Sequence, residues 1–144
     1  MDKTPLKITR KTSAIFISLP STLENIDKVS KEAKKFLLAM GITSSETIFA
    51  TDLVLREGLT NAVRHGHNNN PDKIAKFSLD YENNTITMVI EDSGNGFNWK
   101  VCKDIEANIE NDHGRGFSIM KEYFTTYEYN KKGNKLTLVK KLNP

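Results

Sequence analysis

The chain has 144 residues, 38% hydrophobic and 27% charged, a balance that suits one folded domain spanning 1–144 and is too apolar for a disordered chain. Its 21 basic and 18 acidic residues leave a net charge of +3; they are spread along the chain, so direct nucleic acid binding is not expected. The one cysteine, Cys102, excludes an internal disulfide, and no apolar run approaches the ~20 residues of a membrane span. A cytoplasmic protein with no membrane contact is expected.

Residues 5–10 and 13–19, the second run ending "SAIFISLP" at Pro20, predict a strand or hairpin, with Ser21 and Thr22 available to cap the next element. From Thr22 to Met40 the apolar positions Ile26, Val29, Ala33, Phe36, Leu37 and Met40 recur every three or four residues, and Gly41 stops the run. This predicts an amphipathic helix. Lysines crowd its "KVSKEAKK" stretch (28–35), as they do "KKGNK" (131–135), and both read as solvated faces.

Ser44 or Ser45, with Glu46 close by, caps a second helix that runs to about His65 and ends at Gly66. The stretch "HNNNPD" (67–72) is turn chemistry. Residues 73–82 and 85–92 are strand-like, and Asn83–Asn84 between them predicts a tight hairpin. A loop of weak periodicity comes after "DSGNGF" (92–97), then a helix over Arg115–Phe124. Two strands joined by a Lys-Gly-Asn turn finish the chain. The order β, α, α, ββ, loop, α, ββ predicts an α+β fold, a two-layer sandwich with helices on one face of a mostly antiparallel sheet.

Three separated pieces carry chemistry: "EGLTNAVRHGH" (57–67), "DSGNGF" (92–97) and "HGRGFSIM" (113–120). Residues four apart share a helix face, so Glu57 and Asn61 project together while Leu55, Leu59, Ala62 and Val63 take up the rest of the circumference. One carboxamide oxygen from Asn61 suffices for a magnesium ion that keeps its waters and shares nucleotide phosphates. Asp92 offers an acceptor to an exocyclic amine, or is simply the first residue of a turn. Gly94 and Gly96 allow positive φ and close backbone approach. Gly114 and Gly116 open a helix whose N-terminal N–H groups suit phosphate, and Arg115 either adds charge there or stays solvated.

In this order and context the three pieces resemble the Bergerat nucleotide site of the gyrase, chaperone, mismatch-repair and sensor-histidine-kinase ATPases. The wording E-x-L-T-N-A-V-x-H-G is most similar to the bacterial anti-sigma-factor serine/threonine-protein kinases, and that resemblance extends from about Ser13 to Leu142. It implies an ATP- and Mg2+-dependent enzyme in which Glu57 is the general base, Asn61 the metal ligand and Asp92 the selector of adenine. Gly94, Gly96, Gly114, Arg115, Gly116 and Phe117 would then surround the nucleotide, with 98–112 as a lid, although Trp99 within it reads equally as a core anchor.

The same resemblance implies a sigma factor and an anti-anti-sigma protein as partners, and a homodimer for which the first strand and helix are candidate contacts. A rival reading keeps the nucleotide and drops the transfer, leaving an ATP-gated binding module. Neither a phosphate-binding G-x-x-x-x-G-K-[ST] loop nor a eukaryotic kinase signature occurs. His65, His67 and His113 have no cysteine or carboxylate at metal-ligand spacing, so zinc is not expected, and His65-x-His67 reads as a cap or solvated pair at a helix end.

Overall fold

A computed structural model describes residues 6–94 and 116–142, with residues 116–118 described by their backbone alone. The architecture is α+β: a six-stranded sheet in the order β1-β2-β3-β4-β6-β5, with every pairing antiparallel and the helices packed on the sheet. The strands are β1 (Lys7–Arg10), β2 (Ala14–Pro20), β3 (Ile74–Glu82), β4 (Thr85–Glu91), β5 (Thr126–Tyr129) and β6 (Lys135–Lys141), and the helices are α1 (Leu23–Ala39), α2 (Ser45–Asn61) and α3 (Gly116–Tyr123).

Alternation with period two decides which strand face is buried. Ile15, Ile17 and Leu19 of β2, Ala75, Phe77 and Leu79 of β3, Ile86, Met88 and Ile90 of β4, and Leu136 and Leu138 of β6 all bury their side chains on the helix side. Ile26, Val29, Ala33, Phe36 and Leu37 of α1 meet them together with Val54, Leu55 and Leu59 of α2. Asn83 and Asn84 adopt φ of 53° and 57° between β3 and β4, the left-handed pair that a two-residue hairpin needs and that asparagine tolerates.

Thr22 caps α1 by accepting from the Asn25 N–H, and Ser44, the first of the two predicted serines, caps α2 by accepting from the Thr47 N–H. Arg56 of α2 reaches Asp27 of α1 at 2.8 Å and Asp52 at 3.1 Å, and Ser30 donates to the same Asp52, so a polar seam joins the two helices beside their apolar contact. The Arg56, Asp27 and Asp52 side chains are substantially exposed, so these ion pairs add little to stability.

One element differs from expectation. The second helix does not stay α-helical to His65: at Asn61 it gives way to a wider π turn over Ala62–Gly66, in which the His67 N–H donates to the Ala62 carbonyl at 3.0 Å. Asn68 and Asn69, at φ 50° and 57°, then donate to the Arg64 and Val63 carbonyls and close the end. The widening inserts one residue into the helical count, so spacing of three and four fails beyond Asn61. Ala62 and Val63 remain buried nonetheless.

The crossing connection places the site. After β4 the chain returns through α3 to the edge strand β5, and the hairpin to β6 brings β6 back beside β4. The C-terminal end of β4 therefore lies between the start of β6 and the end of the α2 segment.

Candidate functional site

Gly58 lets α2 settle onto the sheet where Asp92 emerges. A Cβ at that position would lie 2.5 Å from Ile90 Cδ1 and 3.3 Å from Leu136 Cδ2, so any side chain would push the helix outward or displace Ile90. The cost of glycine inside a helix, about 0.5–1 kcal/mol, is offset by this closeness to β4. Asn61 and Asp92 consequently line one cleft with Gly58, Ala62, Ile90, Tyr129, Asn134 and Leu136. The cleft measures about 10 Å3, room for roughly one water.

Glu57, half-buried, stands one helical turn before Asn61 on α2 and does not line that cleft. The structure therefore brings Asn61 and Asp92 together directly and relates Glu57 to them through helix spacing. Gly94 N–H donates to Asp92 Oδ1 at 2.8 Å. Phe117 lies in the first turn of α3, which Gly116 opens. Gly96, Gly114, Arg115, His113, Trp99, Cys102 and the loop 98–112 lie outside the described residues.

Asp92 is only 8% exposed, and several contacts keep it in place. Its backbone N–H donates to the Asn134 carbonyl at 2.9 Å, and its own carbonyl accepts from Asn134 Nδ2 at 2.8 Å. Gly66 packs so closely that a Cβ there would sit 2.4 Å from the carboxyl carbon, and a Cβ on Gly94 would sit 2.3 Å from the Gly66 carbonyl oxygen. The two glycines are steric requirements of this contact. Burial pushes the Asp92 carboxyl above its ordinary 3.8, against the opposing pull of the Gly94 N–H and of His67.

His67 corrects the sequence reading, which made it a cap or a solvated residue. It is 1% exposed. Nδ1 lies 2.6 Å from Ser21 Oγ, Nε2 accepts the Ser93 N–H at 2.9 Å, and Ser93 Oγ is also 2.9 Å from Nε2. Burial lowers its pKa from 6.5, more than Asp92 raises it, and Lys73 lowers it further. Ser21 and Ser93 are 46 and 26 residues distant in sequence, and no local spacing relates them to the histidine. Gly66 enters the sequence reading only as a helix stop and Asn134 only within a turn, because their contacts with Asp92 join distant segments. Among the described residues no group of three His, Cys, Asp or Glu side chains is placed to hold a metal ion, and no helix is long and apolar enough to cross a membrane.

The end of α2 thus presents Asn61 beside a buried carboxylate at the end of an interior antiparallel strand. The family model for the histidine kinase-like ATPase domain matches residues 19–140. The chain belongs to that family, and ATP binding and a kinase-like ATPase character come with membership. No individual curated protein matches it significantly.

Proposed function

We propose that this protein is a cytoplasmic, ATP-dependent anti-sigma factor that holds a sigma factor away from RNA polymerase and phosphorylates a serine or threonine on an anti-anti-sigma protein. The observation that carries this reading is the shared cleft of Asn61 and Asp92, with Glu57 one turn back on the same helix. The motif wording around Glu57 supplies the choice of partners.

The donor chemistry suits the nucleotide. Asp92 Oδ1 is engaged by the Gly94 N–H, which leaves Oδ2 to accept from the exocyclic amine of adenine. The glycine contacts around the carboxylate leave no space for a Cβ and hold that acceptor in one position. The neutral oxygen of the half-buried Asn61 fits magnesium as a single protein ligand, which the metal supplements with water and phosphate oxygens. Bound there, magnesium would neutralise charge on the phosphates.

Glu57 acts as the base: it accepts the proton of the partner's hydroxyl as that oxygen bonds to the γ-phosphorus and the bond to the β–γ bridging oxygen breaks, releasing ADP. Gly94, Gly96, Gly114, Arg115, Gly116 and Phe117 complete the nucleotide surroundings. The protein works as a homodimer through its N-terminal edge: β1 is an edge strand, and Ile8 on it and Phe16 beside it are exposed, which makes a natural template for pairing.

The test is to incubate the protein with Mg-ATP and candidate antagonist proteins and weigh the antagonists by intact-mass spectrometry. A phosphoryl gain that disappears in Glu57→Ala while ATP binding persists supports the kinase. ATP and partner binding without any mass gain replaces it with the ATP-gated binding module.

A further inference from the structure

The Asp92 turn is held from two sides. Asn134 clamps the backbone of Asp92 itself from the β6 side, whereas the next peptide, the Ser93 N–H, is held only by the ring of His67 among the described contacts. An N–H can only donate, so Nε2 must carry a lone pair. The neutral ring then bears its proton on Nδ1, aimed at Ser21 Oγ, and the tautomer is set by the Ser93 contact. Ser21 is itself fully buried at the β2–α1 junction, where its N–H donates to the Lys73 carbonyl. One ring thus ties together the start of α1, the end of the α2 segment and the turn after β4.

We infer that His67 is a positioning residue for the base-binding end of the site: its Nε2 lone pair holds the Ser93 peptide, and with it the Asp92–Gly94 turn, while Nδ1 anchors the ring to Ser21. This rests on the proposed role of Asp92 toward adenine. Proton uptake at Nε2 replaces the acceptor with a donor facing the Ser93 N–H; the ring loses its hold on the peptide and keeps only Ser93 Oγ, 2.9 Å away, as a partner on that side. Among the described residues the charged groups facing the ring are Asp92, which favours its protonation, and Lys73, which opposes it; burial opposes it most. A ring that accepts the Ser93 N–H is neutral, and acidification releases that peptide.

A histidine that merely filled space would affect stability when replaced and leave the pH dependence of ligand affinity alone. His67→Gln separates the two cases, since its side-chain oxygen can accept the Ser93 N–H and does not titrate. The dissociation constant for Mg-ATP is measured by calorimetry across a descending pH series for wild type, His67→Gln and His67→Ala. In parallel, the Ser93 and Gly94 amides and the ring nitrogens are tracked by 15N NMR in nucleotide-free protein.

The expected ring signature is Nδ1-protonated, with both amides shifting as His67 takes up its proton. Wild-type affinity should fall about fivefold more than that of His67→Gln over the series, and His67→Ala should bind about fivefold more weakly at neutral pH, as loss of one hydrogen bond predicts. Taking the difference from His67→Gln removes the titration of Asp92 and of the nucleotide phosphates. If His67→Ala fails to fold, the glutamine variant and the wild-type NMR titration carry the test. Identical pH profiles for wild type and His67→Gln overturn the inference and leave the nucleotide site standing. A wild type that binds no ATP at any pH, with the amides still tracking His67, brings down the nucleotide reading and the inference with it.

Discussion

Replacing Asp92 with Asn preserves volume and shape and exchanges one acceptor oxygen for an NH2 donor. The Gly94 N–H, 2.8 Å from Oδ1, decides which way the new amide turns. Two facing donors would leave both unsatisfied, so the carbonyl oxygen takes the Oδ1 position and the NH2 takes the Oδ2 position, where adenine's amine would meet it. A lost hydrogen bond with an unsatisfied donor in its place costs about 1–3 kcal/mol. At 1.4 kcal/mol per decade, ATP affinity falls roughly 5- to 150-fold.

Stability should not fall with it. The folded protein raises the Asp92 pKa from 3.8, so the stabilising contribution of this residue is fully present below that value. It is lost as pH rises through the folded pKa. At neutral pH the buried carboxylate is a net cost that asparagine does not carry. Calorimetric titration with Mg-ATP beside a thermal melt reads both quantities. Weaker binding with an equal or higher Tm is expected, whereas unchanged affinity with a lower Tm would reduce Asp92 to a turn residue and refute the reasoning.

Gly66→Ala places a Cβ 2.4–2.6 Å from the Asp92 carboxyl atoms; it should destabilise by about 1–3 kcal/mol and weaken ATP binding at least about tenfold, and an undisturbed affinity would show that the carboxylate's placement does not matter. Leu59→Ala, at a fully buried position between Glu57 and Asn61, should cost about 2–5 kcal/mol in urea unfolding, and a cost near zero would contradict its core placement. Because His67 titrates below its ordinary 6.5 in the folded protein, its contribution is intact above that pH and declines as the pH drops below it. The wild-type melting temperature should therefore fall more steeply there than that of His67→Gln, and parallel slopes would assign the decline to other groups.

Elements with a strong local pattern were legible. The period-two runs of β2 to β4, the three-and-four spacing of α1, the Asn83–Asn84 turn and a serine cap at Ser44 or Ser45 are all dictated by neighbours in sequence, and the structure selects Ser44. The end of α2 was not: a π turn is settled by where the Val63 and Arg64 carbonyls find their donors, and these come from the asparagine turn after it. Within the site, Glu57 and Asn61 were visible because four residues span one helical turn. Asp92 was visible because glycine-rich turns betray themselves.

The partners of Asp92 were hidden. Gly66, His67 and Asn134 come from segments that the sheet order alone brings together, and His67 in isolation looks like any polar residue at a helix end. Local hydrogen bonding and hydrophobic period thus wrote the elements into the sequence, and the wording of its motifs carried the resemblance to the family. Only the folded chain decided that β6 returns beside β4, that α2 approaches the sheet as closely as Gly58 permits, and that a histidine beyond its end is buried between two serines. Those contacts depend on the closure of long loops, and no short-range spacing encodes the residues that meet when they close.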